Sequence, residues 1–250
     1  MCPEHNARRP MPSRLILFDI DGTLLSTRGL GREAIDRAVR EVYGIADSFR
    51  DICLAGRTDI QIVHEALRRA SVPEDRIRDG LPNVLARHAE ILDALFRERG
   101  PGYLMPGFPA LLDRLAEDPS WGIGLLTGNA RLGARIKLAS LGLWSRFAFG
   151  AFGDDHEDRN ALPAVALRRA RETLGAQVTP AACTVVGDTT RDIACARAGG
   201  MRAAAVATGW DTYETLRASR PDHLFRSFAD TEDALRRLGA LTPPIPREEP

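Results

Sequence analysis

The sequence predicts an α/β fold: a doubly wound parallel sheet into which an α-helical domain is inserted. A run of four apolar residues at 15–18 is typical of a short strand that is buried on both faces. From residue 105 onward, strand and helix patterns alternate along the chain, as they do in parallel sheets. Between these parts, residues 26–104 hold three amphipathic helical patterns and no strand pattern. These observations predict a Rossmann-like core of residues 14–25 and 105–240 and an inserted helical domain of residues 26–104.

Each helix of the inserted domain is indicated by its apolar spacing and by a boundary residue. The first is predicted over residues 32–44, with Gly44 as its C-terminal stop. Thr58 is a suitable N-cap for the second helix. The third is predicted to begin at about Pro82, because proline is favoured in a first helical turn, and to end near Gly100.

The rest of the core is predicted from alternating periods of 2 and 3.6 residues, with glycines after several elements. The predicted elements are, in chain order, a helix at 108–117, a strand at 121–127, a helix at 132–141, a strand at 147–152, a helix at 162–174, a strand at 183–186, a helix at 192–198, strands at 203–207 and 223–225, and a helix at 231–238.

Composition excludes several classes of function. The formal net charge of the 250 residues is +0, so no overall field favours nucleic acid or an acidic membrane surface. No apolar run approaches the roughly 18 residues that a membrane-spanning helix needs. Residues 1–13 lack the apolar segment of a secretory signal, and residues 1–13 and 241–250 are predicted to be disordered tails.

The cysteines show no metal-ligand spacing. Cys2, Cys53, Cys183 and Cys195 are therefore predicted to be free thiols, which indicates a cytoplasmic protein. The sequence does not distinguish a monomer from a homodimer.

Two carboxylates follow the first predicted strand directly. Asp19 and Asp21 are two residues apart, which places them on the same side of a strand. Like charges held side by side favour a bound cation or a protonated carboxyl group. Taken alone, the Asp-Gly that ends this segment is equally compatible with an ordinary turn.

Two later strands also end in polar residues, and the carboxyl ends of parallel strands meet at one edge of the sheet. Asp188 follows a buried strand, and Asp192 lies four residues further on, where a carboxylate is also compatible with helix capping. With the two earlier carboxylates, these oxygens predict a Mg²⁺ site. Thr127, with the N–H groups of Gly128 and Asn129, predicts an anion-binding loop. A hard cation beside an anion site indicates phosphoryl chemistry.

These segments resemble the motifs of the haloacid dehalogenase superfamily. Residues 19–23, DIDGT, resemble its first motif; residues 126–129, LTGN, resemble the strand end of its second; and residues 187–192, GDTTRD, resemble its fourth. Order and spacing agree from residue 15 to about residue 209. The resemblance implies a Mg²⁺-dependent phosphatase for a small phosphorylated metabolite, with phosphoglycolate as the first substrate to consider. A phosphomutase on the same framework and a non-catalytic phosphate-binding protein are the alternatives.

The resemblance also implies roles for single residues. Asp19 is the implied nucleophile, and Asp21 the acid that protonates the leaving oxygen and then acts as the base for water. An aspartate at this second position resembles the phosphatases and phosphomutases of the superfamily. Thr127 is implied to bind the phosphoryl group. The implied Mg²⁺ ligands are Asp19, the backbone carbonyl of Asp21, and Asp188, with Asp192 orienting them.

The third motif departs from the family pattern, because the segment just before the helix at 162–174 contains no lysine. Arg159 is the candidate for this cation, and its alternative partner is the acidic run at 154–158. Lys137, the one lysine among 34 basic residues, is the rival. It lies ten residues past Thr127, about 15 Å along a helix, which favours packing of its stem over a role in the site.

The inserted domain matches the position of the helical cap of many family members, which excludes water from the site and selects substrates. In the segment at 55–59, Arg57 is the candidate for binding an anionic leaving group. Thr58 or Asp59 as a cap of the second helix is an equally good interpretation. His156 and Trp210 are further candidates for the entrance.

Overall fold

The computed structural model describes residues 11–240. Residues 1–10 of the predicted N-terminal tail and the whole predicted C-terminal tail, 241–250, lie outside the described residues. The strands are β1 (Arg14–Phe18), β2 (Leu25–Ser26), β3 (Tyr103–Leu104), β4 (Trp121–Leu126), β5 (Phe149–Ala151), β6 (Cys183–Gly187), β7 (Arg202–Val206) and β8 (His223–Phe225). The α-helices are α1 (Leu30–Tyr43), α2 (Asp59–Arg69), α3 (Glu74–Arg99), α4 (Phe108–Glu117), α5 (Arg131–Ala139), α6 (Leu162–Leu174), α7 (Thr190–Ala198), α8 (Tyr213–Ala218) and α9 (Thr231–Leu238).

Six strands form one parallel sheet in the order β5-β4-β1-β6-β7-β8. The predicted α/β fold class is therefore confirmed. β1 lies between β4 and β6, so the strand order reverses on either side of it. In doubly wound sheets ligands bind at this switch point, beyond the carboxyl ends of the strands.

Both faces of the sheet are covered, which explains the continuous apolar run of β1. Ile16 and Phe18 belong to a buried cluster with Phe108 of α4 and residues of α9. Leu15 and Leu17 belong to the cluster on the opposite face, with residues of α6 and α7. Alternate residues of β1 thus face opposite layers, and the strand is held in a fixed register.

Helices α1, α2 and α3 pack around an apolar core of their own, which includes Val39, Leu67 and Leu92. We call residues 26–104 the cap. The short antiparallel pair of β2 and β3 lies where the chain enters and leaves it. This ribbon was not predicted, because two residues per strand are too few to show a period of two.

Two helices differ from the prediction by more than a shift of one or two residues at their ends. α3 begins at Glu74 and not at Pro82, because Pro73 at its N-cap and two acidic residues in its first turn start the helix earlier. Pro82 is accommodated inside the helix, where burial of Val84 and Leu92 offsets the missing N–H donor. α8 was missed because it is six residues long and buries one of them.

Two predictions from composition can be compared with the structure. Cys53, Cys183 and Cys195 are free thiols, whereas Cys2 lies outside the described residues. Within residues 11–240, no helix has the length and apolarity that crossing a membrane requires.

Candidate active site

The end of β1 places Asp19 at the centre of the switch point. Its backbone N–H continues the β1–β6 pairing by donating to the carbonyl of Val186 at 2.9 Å, and its side chain is buried. The chain then turns sharply at Gly22, whose φ of 80° is in the left-handed region that favours glycine. The first motif is thus a strand end whose direction is set by sheet pairing and a tight turn.

Three buried carboxylates meet here. One oxygen from each of Asp19, Asp188 and Asp192 lies within 4.8 Å of the others. Burial raises the pKa of Asp19 to about 6, with the Asp192 charge adding to the effect and Arg159 opposing it. Burial and the two neighbouring carboxylates also raise the pKa of Asp188 well above its ordinary value. Burial is the largest cause for both groups, and the charge of Asp192 adds to it at each.

Asp188 is fixed by donors and by the absence of side chains around it. It accepts hydrogen bonds from Thr23 Oγ1 at 3.1 Å and from the Trp210 N–H at 2.8 Å. A Cβ atom at Gly22 or Gly209 would lie 2.4 or 1.9 Å from Asp188 Oδ2. Only glycine fits at both positions, and the carboxylate is held toward the other two.

This donor set fits Mg²⁺, a hard cation that takes oxygen ligands. Asp19 and Asp188 are the residues suited to direct ligation. Asp192 accepts from the backbone N–H and the hydroxyl of Thr189 at 3.0 and 2.7 Å, and it also pairs with Arg159. Because one of its oxygens pairs with a buried guanidinium and the other caps the first turn of α7, Asp192 suits the orienting position. It also completes the capping box of α7, so both interpretations of this residue apply.

Arg159 lies in the acidic cluster and not with the acidic run at 154–158. Its guanidinium is buried, pairs with Asp192, and has one nitrogen 3.4 Å from Asp19 Oδ1. Its Nε atom has no hydrogen-bond partner among the described residues. A planar guanidinium beside Asp19 is suited to a phosphate oxygen.

The predicted anion-binding loop follows β4. The Thr127 hydroxyl lowers the pKa of Asp19 by hydrogen bonding, and it accepts from the Asn129 side chain at 2.9 Å. The Asn129 N–H also points to this hydroxyl, at 3.3 Å, and α5 begins only at Arg131. The loop is therefore not the first turn of the helix. Of the two N–H groups that were predicted to bind an anion, only that of Gly128 lacks a hydrogen-bond partner within residues 11–240.

Lys137 reaches the site, so the expectation that it lies away from it is wrong. Its buried ammonium donates to Asp21 Oδ2 at 2.6 Å and to Asn129 Oδ1 at 2.5 Å. The distance along the helix is short because α5 starts at Arg131, and helical side chains lean toward the N-terminus. The two candidate cations thus divide between the two aspartates: Arg159 faces Asp19, and Lys137 faces Asp21.

The cap segment at 55–59 lies directly against the loop after β4. Thr58 caps α2 by accepting from the Gln61 N–H at 3.2 Å. Asp59 donates its N–H to the Gly128 carbonyl at 2.8 Å and accepts from the Ala130 N–H at 2.7 Å. Burial raises the pKa of Asp59 to about 6, and Lys137 opposes the shift. Sequence reasoning considered Asp59 as a helix cap and missed its burial against the core, because its partners come from another domain.

Arg57 lines the cavity, but its guanidinium is paired with Glu65 of α2. The cavity between cap and core is about 460 Å³ in volume. Trp210 lies at its mouth and is 58% exposed, whereas His156 is not among the residues that line it. His88 of α3 does line it and was not singled out from sequence. The available signal was a polar residue on the apolar face of α3.

The model of one protein family, the haloacid dehalogenase-like hydrolases, matches residues 13–200. The probable phosphatase IndB of Dickeya dadantii is 26% identical over 91% of this chain and 96% of its own length. A phosphoglycolate phosphatase of Xylella fastidiosa is 31% identical over 80% of this chain and 83% of its own. A hydrolase from Pseudomonas syringae has a similar fold, with a TM-score of 0.68 at 19% identity over 90% and 99% of the two chains.

Proposed function

The chain belongs to the haloacid dehalogenase-like hydrolases and is a phosphatase, and on that premise we propose how it works. The proposed reaction is the Mg²⁺-dependent hydrolysis of a small phosphorylated metabolite through an aspartyl-phosphate on Asp19. The observation that carries the proposal is the position of this buried carboxylate. It lies among Arg159, the Thr127 hydroxyl and two further carboxylates at the switch point of the sheet.

The first chemical step uses both aspartates of the first motif. A carboxylate oxygen of Asp19 forms a bond to phosphorus as the bond from phosphorus to the leaving oxygen breaks. Asp21 gives its proton to that oxygen, and a neutral alcohol leaves. Arg159 and Thr127 hold the phosphoryl oxygens.

The second step returns the enzyme to its starting state. Asp21, now a carboxylate, takes a proton from water as the water oxygen attacks phosphorus. The bond from phosphorus to Asp19 breaks, and inorganic phosphate is released. The cap, held by Thr58 and Asp59, limits access to this site to small molecules and water.

Asp19, the Asp21 carbonyl and Asp188 would hold the Mg²⁺ ion, with Asp192 orienting the group. When bound, the ion neutralises negative charge that gathers on the phosphoryl oxygens. The buried carboxylates with raised pKa values support this assignment.

Phosphoglycolate is the first substrate to test, because several relatives are named phosphoglycolate phosphatases. A phosphomutase is the alternative that the cap supports, because exclusion of water would let the phosphoryl group return to a sugar. A non-catalytic phosphate-binding protein is less well supported, because binding alone does not need a nucleophile beside an acid. A cytoplasmic location is also part of the proposal, supported by the three free thiols.

The test is release of inorganic phosphate from p-nitrophenyl phosphate and a panel of metabolite monophosphates, with Mg²⁺ and with EDTA. We expect Mg²⁺-dependent release that Asp19→Asn abolishes while circular dichroism shows an unchanged fold. Conversion of a sugar phosphate to its isomer without phosphate release would favour the mutase. Absence of both reactions across the panel would favour the binding protein.

A further inference from the structure

His88 is a buried polar residue on the inner face of α3. It is 2% exposed and lines the cavity, and neither of its ring nitrogens has a hydrogen-bond partner among the described residues. The backbone of Gly31 lies near enough to favour ring protonation, but burial and Lys137 outweigh it and lower the pKa of His88 to about 3. The ring is therefore neutral and offers one N–H donor and one acceptor nitrogen.

Two glycines bring His88 and Lys137 to the same region of the cavity. A Cβ atom at Gly133 would lie 3.3 Å from His88 Cε1. Lys137 is four residues further along α5, so it shares the face of Gly133, and its side chain leans back over that turn. On the facing wall, a Cβ atom at Gly31 would lie 3.3 Å from Lys137 Nζ. The absence of both side chains lets the imidazole pack close against α5 and the ammonium close against α1, at the cavity that both residues line.

Hydrogen-bonding capacity remains unused at this point. The ammonium of Lys137 carries three N–H groups, of which Asp21 and Asn129 accept two. Among residues 11–240, no acceptor forms a hydrogen bond with the third N–H group. The imidazole of His88 adds a free acceptor nitrogen, and the acceptor nearest to its N–H is the backbone of Gly31. Unmet polar groups in a buried place are costly, and a ligand that pairs with them is favoured.

We propose that His88 and Lys137 together bind a hydroxyl group on the leaving alcohol of the substrate. The inference rests on the proposed function, because it places the leaving group beside Asp21, the proposed proton donor. A hydroxyl oxygen accepts the free N–H of Lys137, and its proton is donated to the acceptor nitrogen of His88. The preferred substrates are then phosphate monoesters of vicinal diols and polyols.

A carboxylate on the leaving group fits these atoms less well. Asp21 and Asp59 already lie around the ammonium of Lys137, and a third negative charge would be shared with the same single cation. A carboxylate also has no proton to donate to the acceptor nitrogen of His88. An unsubstituted alkyl group would leave all of these polar atoms unpaired.

Three esters of similar size separate these cases: ethyl phosphate, 2-hydroxyethyl phosphate and 2-phosphoglycolate. For the wild-type enzyme with Mg²⁺, we expect kcat/KM for 2-hydroxyethyl phosphate to exceed the other two by about tenfold, the effect of one well-placed hydrogen bond. His88→Leu should lower the value for 2-hydroxyethyl phosphate at least about fivefold more than that for ethyl phosphate. His88→Gln, which keeps a donor and an acceptor, should restore part of the preference.

The outcomes separate this inference from the function on which it rests. A wild-type preference for 2-phosphoglycolate, or an equal loss on all three esters in His88→Leu, would overturn the hydroxyl assignment alone. Failure of the wild-type enzyme to hydrolyse these esters and p-nitrophenyl phosphate would overturn the proposed function and the inference with it. The wild-type ranking is informative whether or not a variant folds, and thermal melts show which variants do.

Discussion

The ammonium of Lys137 lies 2.6 Å from Asp21 Oδ2, so the one lysine of this chain, which is 5% exposed, forms an ion pair with the second aspartate of the first motif, which is 33% exposed. The same oxygen also accepts from the Asn129 side chain at 2.8 Å. Because two donors hold this oxygen, the orientation of the carboxyl group is fixed, and with it the position of the other oxygen, Oδ1. Lys137 therefore acts on the proposed proton donor and not on the nucleophile.

We expect Lys137→Met to lower kcat for alkyl phosphates by about 10- to 100-fold, because proton donation from a misplaced acid is lost. Lys137→Arg should not restore it. The larger guanidinium cannot fit where α1 packs against the ammonium, since even a Cβ atom at Gly31 would lie 3.3 Å from Nζ. Steady-state kinetics measure kcat for both variants. The control is Arg135→Met at an exposed position on the same helix, whose kcat should stay within about twofold of wild type. Full activity in Lys137→Arg would show that charge alone suffices.

The sequence predicted those parts of the arrangement that depend on a short stretch of chain or on a general rule of sheet geometry. Helices α4 and α6 have the predicted bounds, because each has a clear apolar period and a recognisable end. The convergence of Asp19 and Asp188 followed from a general rule, since parallel strands place their carboxyl ends at one edge.

The remaining contacts depend on how distant parts of the chain dock, and no local pattern encodes them. Lys137 was expected outside the site because distance was counted along a helix, whereas its side chain folds back toward Asn129. Asp59 and His88 come from the cap, and their positions against α5 exist only once cap and core have packed. His88 had one signal, a polar residue within an apolar stripe, and that signal is equally typical of a structural histidine.

Asp21→Asn should separate the two proposed chemical steps. With p-nitrophenyl phosphate, the leaving phenolate needs little protonation, so formation of the aspartyl-phosphate should persist. Its hydrolysis should slow by about 100-fold or more, because no base remains for water. Rapid mixing should then show a burst of about one p-nitrophenolate per enzyme, followed by slow turnover. Equal slowing of both phases would contradict the assignment of Asp21 to the second step, and Asp19→Asn, without a nucleophile, should show no burst.

Arg159→Ala should destabilise the protein strongly, because Arg159 is the buried cation among three buried carboxylates. Removal of one partner of a buried pair costs about 3–5 kcal/mol. Arg159→Lys should cost less and retain part of the activity, because a single charge remains near Asp19. Urea unfolding measures the free energy of unfolding of both variants. The control is Arg114→Ala, which removes an exposed ion pair with Glu232 and should leave that free energy within about 0.5–1 kcal/mol of wild type. A small effect of Arg159→Ala would show that the carboxylates are neutral in the metal-free protein.

The contribution of the buried aspartates to the stability of the metal-free enzyme should fall as pH rises from about 4 to about 6. The pKa values of Asp19 and Asp59 are both raised to about 6 by burial, whereas ordinary aspartates titrate near 3.9. Between these values the unfolded chain releases its protons while the folded protein keeps them, so rising pH favours unfolding. For Asp59 alone the loss is about 3 kcal/mol by pH 7.

Mg²⁺ should reverse most of this loss above pH 6, because the ion binds the deprotonated form of Asp19 and its neighbours. Thermal melts at pH 5 and pH 7, in EDTA and in excess Mg²⁺, measure both effects. Asp59→Asn is the matched control: it should raise the melting temperature at pH 7 in EDTA yet preserve the increment from Mg²⁺. Asp19→Asn should raise the EDTA value and remove most of that increment. Burial lowers the pKa of His88 to about 3, which makes the contribution of this residue to stability rise with pH, so the comparison is made in a His88→Leu background. In that background, a melting temperature in EDTA that rises between pH 5 and pH 7 would contradict the direction of the two aspartate pKa shifts.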